Sequence, residues 1–389
     1  MRVLHVVGSL DAHVGGSTAA GVETAAYLRQ LGVDAAVAGS WESPTAADYI
    51  RDVWPDLPVH GFGRRPPHHY WNSPTLRSWL RSAMGEYDVV CVHGLFKFPF
   101  VDAARTARRR RVPYLVQPHS SLDPYDLQKH SSLKAVFGPL VVRPMLRNAA
   151  GVLVTTERER DRLMTWGAAP DVQVLPLPVS APSTAGDGRR FRAAHNIDTD
   201  AKVLLFLSRL HRKKGLERLF RAAARVSEGR GDVVLAIAGT GRPEYEQQLR
   251  DEAATVSGST RVLWLGHLTG DAKWDAFAAA DVFVLPSENE NFGIVLLEAL
   301  MARTPAVVSH EVYLSDELAD FVTVCALDVD AVERAVTSVL DDPDAARTRA
   351  DKAREFVVER YHPVTVARRT LALYENVIAR RPIDHDAGL

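Results

Sequence analysis

Short apolar runs alternate with stretches of helical periodicity along most of this chain. The apolar runs are rich in Val, Leu and Ile and predict buried strands at residues 2–7, 33–38, 87–96, 112–116, 152–156, 172–175, 203–207, 233–238, 262–268, 281–285 and 306–309. Helix formers and amphipathic patterns predict helices at residues 18–31, 129–147, 157–165, 216–226, 271–280, 294–301, 331–340 and 345–361. Because strands and helices alternate, we predict an α/β fold with doubly wound parallel sheets.

The division into domains is predicted from local composition. Residues 176–188 are rich in Pro, Ser, Ala and Gly and are the best linker candidate. We predict one domain at residues 1–182, a second at 183–363, an amphipathic helix at 364–380 and a tail at 381–389. Residues 41–81 have no clear periodicity, and we expect an irregular region there that contributes to specificity or to surface packing.

Composition excludes several classes of protein. The 389 residues are 46% hydrophobic and 24% charged with a net charge of −1, so no overall field favours nucleic acid. Cys91 and Cys325 are far apart in sequence, so we expect no disulfide framework and no cysteine metal site, in a reducing cytoplasm. No apolar run reaches the roughly 18 residues that span a membrane. Four arginines at 108–111 are interpreted as a solvated helix end, and peripheral membrane contact is left open.

The most informative stretch joins the predicted strand at 281–285 to the predicted helix at 294–301. Glu290 lies in the loop, Gly293 lies where the helix should begin, and Glu298 lies on the helix. A helix start presents free backbone N–H groups and a partial positive charge, which favour phosphate and sugar oxygens. Glu298 lies in an apolar run, where an unpaired carboxylate is costly. We therefore interpret the two carboxylates as ligand-binding groups rather than as solvated acidic residues.

A cationic loop follows the predicted strand at 203–207. Arg209 in this loop can hold a phosphate through two hydrogen bonds, and Lys214 supplies a compact positive charge. After the next strand, Gly239 and Gly241 leave room for a ligand to approach the backbone. The loop therefore predicts an anion site.

Polar residues also follow the strands of the first predicted domain. His93 and His119 come at the carboxyl ends of two strands, where ligands of parallel sheets bind. Gly15 and Gly16 lie between the first strand and the first helix, but their spacing does not fit the dinucleotide fingerprint. The first domain is therefore also predicted to contact a ligand.

The motifs of the second domain resemble those of GT4, a large family of retaining glycosyltransferases with the GT-B fold. Glu290 and Glu298 have the spacing of the family's Glu-x7-Glu motif. Arg209 and Lys214 have the Arg-Leu-x-x-x-Lys-Gly spacing of its diphosphate-binding loop. The resemblance is strongest from residue 203 to residue 300.

The first domain resembles the same family with two departures. Residues 93–96, His-Gly-Leu-Phe, are similar to the family's His-Gly-Leu-Trp, with Phe96 in place of the tryptophan. Residues 118–124, Pro-His-Ser-Ser-Leu-Asp-Pro, are similar to its Pro-His-Gly-x-Leu-Asp-Pro, with Ser120 and Ser121 in place of the glycine-containing pair. These departures leave the acceptor open.

The resemblance implies two facing Rossmann-like domains with a cleft between them, the first for the acceptor and the second for the nucleotide-sugar donor, and a last helix that crosses back to the first domain. It implies catalytic roles for His119, Arg209, Lys214 and Glu290. It implies donor-binding roles for Gly15, Gly16, Ser208, Gly239, Gly241, His267, Asn291, Phe292, Gly293, Ile294 and Glu298. It implies acceptor-binding roles for His13, His93, Phe96 and Asp123.

The activity that this resemblance implies is hexosyl transfer with retention from a nucleotide-sugar, most commonly UDP-linked, to an acceptor hydroxyl of a glycan, a lipid-linked glycan or a natural product. Because two cations face the departing diphosphate, we expect neither a metal nor another cofactor. Asp-x-Asp pairs at 198–200 and 328–330 lie in connecting segments and are interpreted as capping or solvated residues. The alternatives are a sugar-nucleotide epimerase or a phosphorylase on the same fold, or a non-catalytic sugar-nucleotide binding module. The oligomeric state is left open.

Overall fold

The computed structural model describes residues 1–11, 16–123, 127, 131–167, 171–182, 184–256, 258 and 260–379. It divides into two compact units, one formed by residues 1–178 with the C-terminal segment from Pro363, and one formed by Val179–His362. The division after Pro178 falls within the Pro-rich segment that predicts the linker. The predicted site residues His13 and Gly15 and the predicted tail lie outside the described residues.

The first unit is built around a parallel sheet. Its described strands are β1 (Arg2–Ser9), β2 (Asp34–Trp41), β3 (Val59–Gly63), β4 (Val89–Val92), β5 (Tyr114–Val116), β6 (Gly151–Val154) and β7 (Val172–Val174). They are ordered β3-β2-β1-β4-β5-β6-β7, and neighbouring strands pair in parallel. The chain reverses its direction of travel across the sheet between β1 and β4, which is the switch point of a doubly wound sheet.

The second unit has the same kind of sheet. Its described strands are β8 (Lys202–Leu207), β9 (Val233–Ala238), β10 (Arg261–Gly266), β11 (Val282–Leu285), β12 (Ala306–Ser309) and β13 (Thr323–Cys325). They are ordered β10-β9-β8-β11-β12-β13, again in parallel, with the switch point between β8 and β11. The predicted α/β fold with two doubly wound, Rossmann-like domains is confirmed. The predicted cleft between the domains stays a prediction.

Helices connect these strands. In the first unit they are Gly16–Gln30, Asp48–Val53, Pro74–Ala83, Phe98–Arg110, Ser131–Phe137, Arg143–Arg147, Glu157–Thr165 and Pro363–Ile378, and in the second they are Gly188–Ala194, Leu216–Arg230, Pro243–Val256, Gly270–Ala279, Ile294–Met301, Val329–Asp341 and Pro343–Tyr361. None of the described helices combines the length and the apolar character needed to cross a bilayer. The arginine run ends helix Phe98–Arg110 with exposed side chains, so the prediction of a solvated helix end is confirmed.

The first unit has an apolar core on each face of its sheet. Leu4 of β1 belongs to one core and Val3 to the other, because successive side chains of a strand point to opposite faces. The core that contains Val3 also contains Tyr374 from helix Pro363–Ile378. This burial explains why the C-terminal helix is part of the first unit.

Residues 41–81 are more regular than predicted. They contain β3, helix Asp48–Val53 and most of helix Pro74–Ala83, so the prediction of an irregular region is wrong. Two glycines in β3 weaken its strand signal, and parallel pairing with β2 holds it in place. The short edge strand β13, which pairs with β12, was also not predicted.

Candidate active site

Both sheets have a switch point where the sequence concentrates polar residues. In the second unit, the loop after β8 carries Arg209 and Lys214, and the loop after β11 carries Glu290. In the first unit, the loops after the neighbouring strands β4 and β5 carry His93 and His119. Ligands of doubly wound sheets bind outside the carboxyl ends of the strands at such a point. Each unit therefore has one candidate ligand-binding edge.

The cationic loop after β8 turns tightly before helix Leu216–Arg230. Arg212–Lys214 forms a short 3-10 turn, in which the imidazole of His211 accepts a hydrogen bond from the Lys213 backbone N–H at 3.3 Å. Lys214 points inward and is only 5% exposed, whereas Arg209 is exposed. The loop thus contributes one largely buried cation, Lys214, and one exposed cation, Arg209.

Two residues predicted to be catalytic, Lys214 and Glu290, form a largely buried ion pair in which the ammonium donates to the carboxylate. Burial opposes ionisation of the Glu290 carboxyl, but Lys214 and the other cations of the loop outweigh this effect and lower its pKa. Glu290 is therefore ionised at neutral pH. It accepts hydrogen bonds and does not act as a proton donor.

Helix Ile294–Met301 begins at the predicted residue, directly after the loop that carries Glu290. Gly293 precedes it with a φ of +65°, a left-handed conformation that glycine adopts without strain. Because Gly293 has no side chain to cap the helix, the first backbone N–H groups depend on other acceptors. Asn291 and Phe292 are buried beside it, and the Phe292 ring packs edge-on against Tyr361 at 5.9 Å between centroids. This helix start can receive a phosphate or hydroxyl oxygen.

Glu298 has a partner that the sequence motif does not include. Lys273, on helix Gly270–Ala279, donates from Nζ to Glu298 Oε1 at 2.7 Å. The pairing offsets the cost of a carboxylate in an apolar helix and fixes its orientation. A single lysine on a preceding helix has no fixed spacing to the motif, so the sequence carries no signal that identifies Lys273.

The glycines after β9 allow close packing against the cationic loop. A Cβ on Gly239, whose φ is +135°, would lie 1.8 Å from the Ser208 carbonyl oxygen, and one on Gly241 would lie 2.3 Å from the Leu210 carbonyl oxygen. Backbone contact between the two loops therefore explains both glycines. His267 follows β10 and is exposed. Donor contacts of these residues and of Ser208 stay predictions.

Three histidines of the first unit form a hydrogen-bonded chain. His5 Nδ1 lies 2.9 Å from His93 Nε2, and His93 Nδ1 lies 3.0 Å from His119 Nε2. Burial lowers the pKa of His5 to about 3 and that of His119 to about 4. Burial, together with the two neighbouring rings, also lowers the pKa of His93 well below its usual value. All three rings are therefore neutral at pH 7, with one N–H each. His5 was not predicted, because its only signal is a polar residue inside an apolar strand.

The hydrogen-bonded chain of histidines predicts that the folded state becomes less stable in acid. A histidine whose pKa is lowered by folding binds fewer protons in the folded state than in the unfolded state. Its neutral form therefore stabilises the fold fully above about pH 6.5, and this stabilisation is lost as the pH falls toward 4. We expect the free energy of unfolding in urea to decrease between pH 7 and pH 5, by up to about 1.4 kcal/mol per pH unit for each such histidine. His5→Asn should lose part of this dependence, and His267→Asn, at an exposed position, should keep it. Equal pH dependence in wild type and His5→Asn would contradict the explanation.

The other predicted residues of the first unit have different surroundings. Phe96 lines a cavity of about 650 Å³ together with His93 and His119. Asp123 is absent from the described lining of that cavity and pairs with Arg162, whose Nη1 lies 3.6 Å from its carboxylate. Gly16 is the first residue of helix Gly16–Gln30. The structure thus brings His93, Phe96 and His119 together and gives Asp123 a structural partner.

Glu159 supports the His119 loop and was not predicted as a site residue. His119 and Ser120 have left-handed backbones, with φ values of +49° and +63°. Ser120 stands at the position where the GT4 family, which this region resembles, has a glycine. The buried Glu159 carboxylate accepts from the Ser120 N–H at 2.9 Å and from the Thr155 N–H at 2.8 Å. The Thr-x-x-Glu pattern of residues 156–159 indicates a helix start, but not this reach to Ser120.

One group of potential metal ligands occurs among the described residues, formed by His5, Cys91 and His93, with ligand atoms within 4.8 Å of one another. The two imidazoles already bond to each other, and burial raises the pKa of the Cys91 thiol to about 12, so it keeps its proton. We interpret this group as part of the buried packing of the sheet and not as a metal site.

Asp328 accepts from the Ala331 N–H at 2.7 Å at the start of helix Val329–Asp341, which confirms its prediction as a capping residue.

Comparison with known proteins connects each unit with glycosyl transfer. The family model described as a glycosyl transferase 4-like domain matches residues 15–179, and the model of glycosyl transferases group 1 matches residues 187–356. An uncharacterized glycosyltransferase of Methanocaldococcus jannaschii is 34% identical over 48% of this chain and 47% of its own length. Glycogen synthase of Mycobacterium tuberculosis is 33% identical over 56% of this chain and 54% of its own length. The chain therefore spans about half the length of these two relatives.

A solved structure extends the likeness to the whole fold. HepE of Anabaena, determined in complex with UDP and glucose, matches with a TM-score of 0.77 at 18% identity, over 95% of this chain and 98% of HepE. This likeness shows the GT-B fold. With one glycosyltransferase model matching each unit and the Glu290, Glu298, Arg209 and Lys214 motifs at the second switch point, the chain belongs to the group 1 glycosyltransferases of the GT4 family.

Proposed function

We propose that this protein transfers a sugar from a UDP-sugar to an acceptor hydroxyl with retention of the anomeric configuration. The observation that carries the proposal is the grouping of Arg209, Lys214 and Glu290 with the uncapped start of helix Ile294–Met301. A nucleotide sugar joins a diphosphate, which binds cations and N–H donors, to a sugar, whose hydroxyls donate to carboxylates. HepE has the same fold and was determined with UDP and glucose, which supports UDP as the nucleotide.

The proposed donor contacts follow from the atoms that the ion pairs leave available. Lys214 uses one N–H on Glu290 and has two more for the diphosphate. The exposed Arg209 can bind the same diphosphate bidentately. Lys273 holds Oε1 of Glu298, so Oε2 is available to the ribose hydroxyls. The two cations stabilise the charge that develops on the departing diphosphate, and for this reason we propose departure without a metal or another cofactor.

His119 is proposed to donate a hydrogen bond to the sugar from Nδ1. Its Nε2 is engaged with His93, so Nδ1 is the ring nitrogen left for a ligand. At the other end of the histidine chain, His5 Nε2 is buried and has no partner among the described residues. A buried N–H without an acceptor is rarer and more costly than a lone pair. Each ring therefore donates from Nδ1 to the next Nε2, and His119 is left with an N–H at Nδ1.

A thermal-shift titration tests donor binding. We expect UDP or a UDP-sugar to raise the melting temperature more than ADP or GDP, equally with EDTA and with magnesium. A ligand at a hundred times its Kd stabilises by about 2.7 kcal/mol, which is readily measured. A Glu298→Gln variant should lose part of the shift, and His310→Gln, at a histidine outside the proposed donor contacts, should keep it. No shift with any of the nucleotides would contradict the proposal.

Stereochemistry separates retention from inversion. The slow hydrolysis of an α-linked UDP-sugar by the enzyme, followed by proton NMR, should release the α-anomer first. Initial release of the β-anomer would contradict retention. Binding without UDP release would favour the non-catalytic binding module, and an altered sugar configuration in the intact nucleotide would favour the epimerase.

A further inference from the structure

The cavity beside the histidine chain, of about 650 Å³, has a lining rich in aromatic side chains. Its aromatic side chains are Tyr70, Trp71, Phe96, Phe98, Phe100 and Phe137. None of the described residues that line it carries a carboxylate or a carboxamide. Those two groups are the side chains that pair most readily with the many hydroxyls of a sugar, since they accept several hydrogen bonds. The lining therefore fits a hydrophobic body better than a glycan.

The aromatic rings are grouped around two lysines. Lys97 Nζ lies 5.4 Å from the ring centroid of Tyr70 and 5.0 Å from that of Trp71. Lys134 Nζ lies 5.0 Å from the ring centroid of Phe96, which in turn packs near Phe137. A lysine over a ring face combines a positive charge with an apolar surface. The cavity is thus hydrophobic and positively charged at the same time.

Lys97 is the lysine of this cavity at which a bound anion would be most favourable. Its ammonium donates to the His69 carbonyl, and no carboxylate pairs with it in the described parts of the chain. Burial lowers the pKa of Lys97, and the positive charges of Lys134 and Arg64 lower it further. A negative group bound here would offset the repulsion between these cations and compensate the half-buried charge of Lys97.

We propose that the acceptor is a hydroxyl-bearing amphipathic anion, with a hydrophobic body in the aromatic cavity and a phosphate or carboxylate beside Lys97. This inference rests on the proposed function, because it names the acceptor class of that reaction. Burial of the apolar body provides affinity, and the charged group sets its orientation relative to His119. Two sources supply this chemistry, a phosphate on a lipid chain and a free aromatic acid.

Calorimetric titration without any nucleotide sugar tests the acceptor class directly. The probes are geranyl phosphate for the lipid source, 4-hydroxycinnamate for the free aromatic acid, geraniol as the uncharged counterpart, maltose as a neutral glycan, and inorganic phosphate. We expect at least one of the two amphipathic anions to bind at least tenfold more tightly than geraniol, maltose and phosphate. Which of the two binds more tightly distinguishes the lipid source from the free acid.

Variants of Lys97 test the charge. Lys97→Met should weaken binding of the preferred anion at least tenfold, Lys97→Arg should retain it, and Lys352→Met, at an exposed lysine of the second unit, should have no effect. Equal affinity for geranyl phosphate and geraniol, an unchanged Lys97→Met variant, or tighter binding of maltose would each overturn the inference.

A UDP titration of the same preparation separates the two proposals. Binding of UDP without binding of either amphipathic anion would overturn the acceptor class and retain the proposed transfer reaction. Binding of an anion without binding of UDP would contradict the transfer reaction and retain the cavity as an amphipathic-anion site.

Discussion

Replacing Arg209 by alanine is expected to lower kcat for UDP release by about 10²–10³-fold, while the free energy of unfolding changes by no more than about 0.5 kcal/mol. The fold should not respond because Arg209 is exposed. Turnover should respond because the guanidinium is proposed to bind the diphosphate while negative charge develops on it. The measurement is steady-state UDP release with the donor that binds best, alongside urea unfolding.

Arg212 offers a matched control for this variant. It lies in the same loop, is also exposed, and donates to Gln248 Oε1 at 3.2 Å instead of approaching Glu290. Arg212→Ala removes an equal charge, so a general loss of positive potential should affect both variants alike. If Arg209→Ala and Arg212→Ala had equal turnover, the assignment of Arg209 to the diphosphate would be wrong.

Replacing Lys214 by methionine is expected to abolish most turnover and, unlike the Arg209 variant, to destabilise the fold. Lys214 is 5% exposed and pairs with Glu290, so its removal leaves a largely buried carboxylate without its ion-pair partner, with only the more distant charges of Lys213 and Arg209. Breaking a buried pair in this way typically costs about 3–5 kcal/mol. Urea unfolding of the variant, with UDP release measured at a temperature where it is folded, separates the two effects.

The double variant Lys214→Met with Glu290→Gln should be less destabilised than the sum of the two single variants, because it removes both charges. The pair Arg303 and Asp351, in which both side chains are exposed and 3.1 Å apart, serves as the control and should show little coupling in an equivalent cycle. Additive effects at Lys214 and Glu290 would mean that the ion pair does not contribute to folding. Recovery of turnover in the double variant would exclude a direct role of either residue.

Local patterns predicted the elements that carry the second ligand-binding edge. The apolar run before Pro286 and the helix formers after Gly293 predict a strand, a loop and a helix, and the structure begins that helix at the predicted residue. Both signals depend on neighbours in sequence, which is why they can be read without the fold. The same reading failed for residues 41–81, where β3 depends on pairing with β2 and its own glycines weaken the signal.

The partners of the predicted residues could not be read in this way. Lys214 and Glu290 are 76 residues apart, and Lys273 and Glu298 are 25 residues apart. Lys214 and Glu290 were each predicted to act on the donor, and in the structure they also contact each other. Glu159 likewise reaches Ser120 across 39 residues.

The sequence by itself determined the fold class, the family and the residues that carry the motifs, because periodicity and motif spacing are properties of short stretches of chain. Only the tertiary structure decided which of those residues touch. The order β1-β4-β5 brings His5, His93 and His119 into one hydrogen-bonded chain of histidines, and the order β8-β11 brings the cationic loop to Glu290. Strand order is set by the burial of both sheet faces over the whole domain, and no local pattern encodes it. For the same reason, the aromatic cavity and its lysines emerged from the fold and not from any motif.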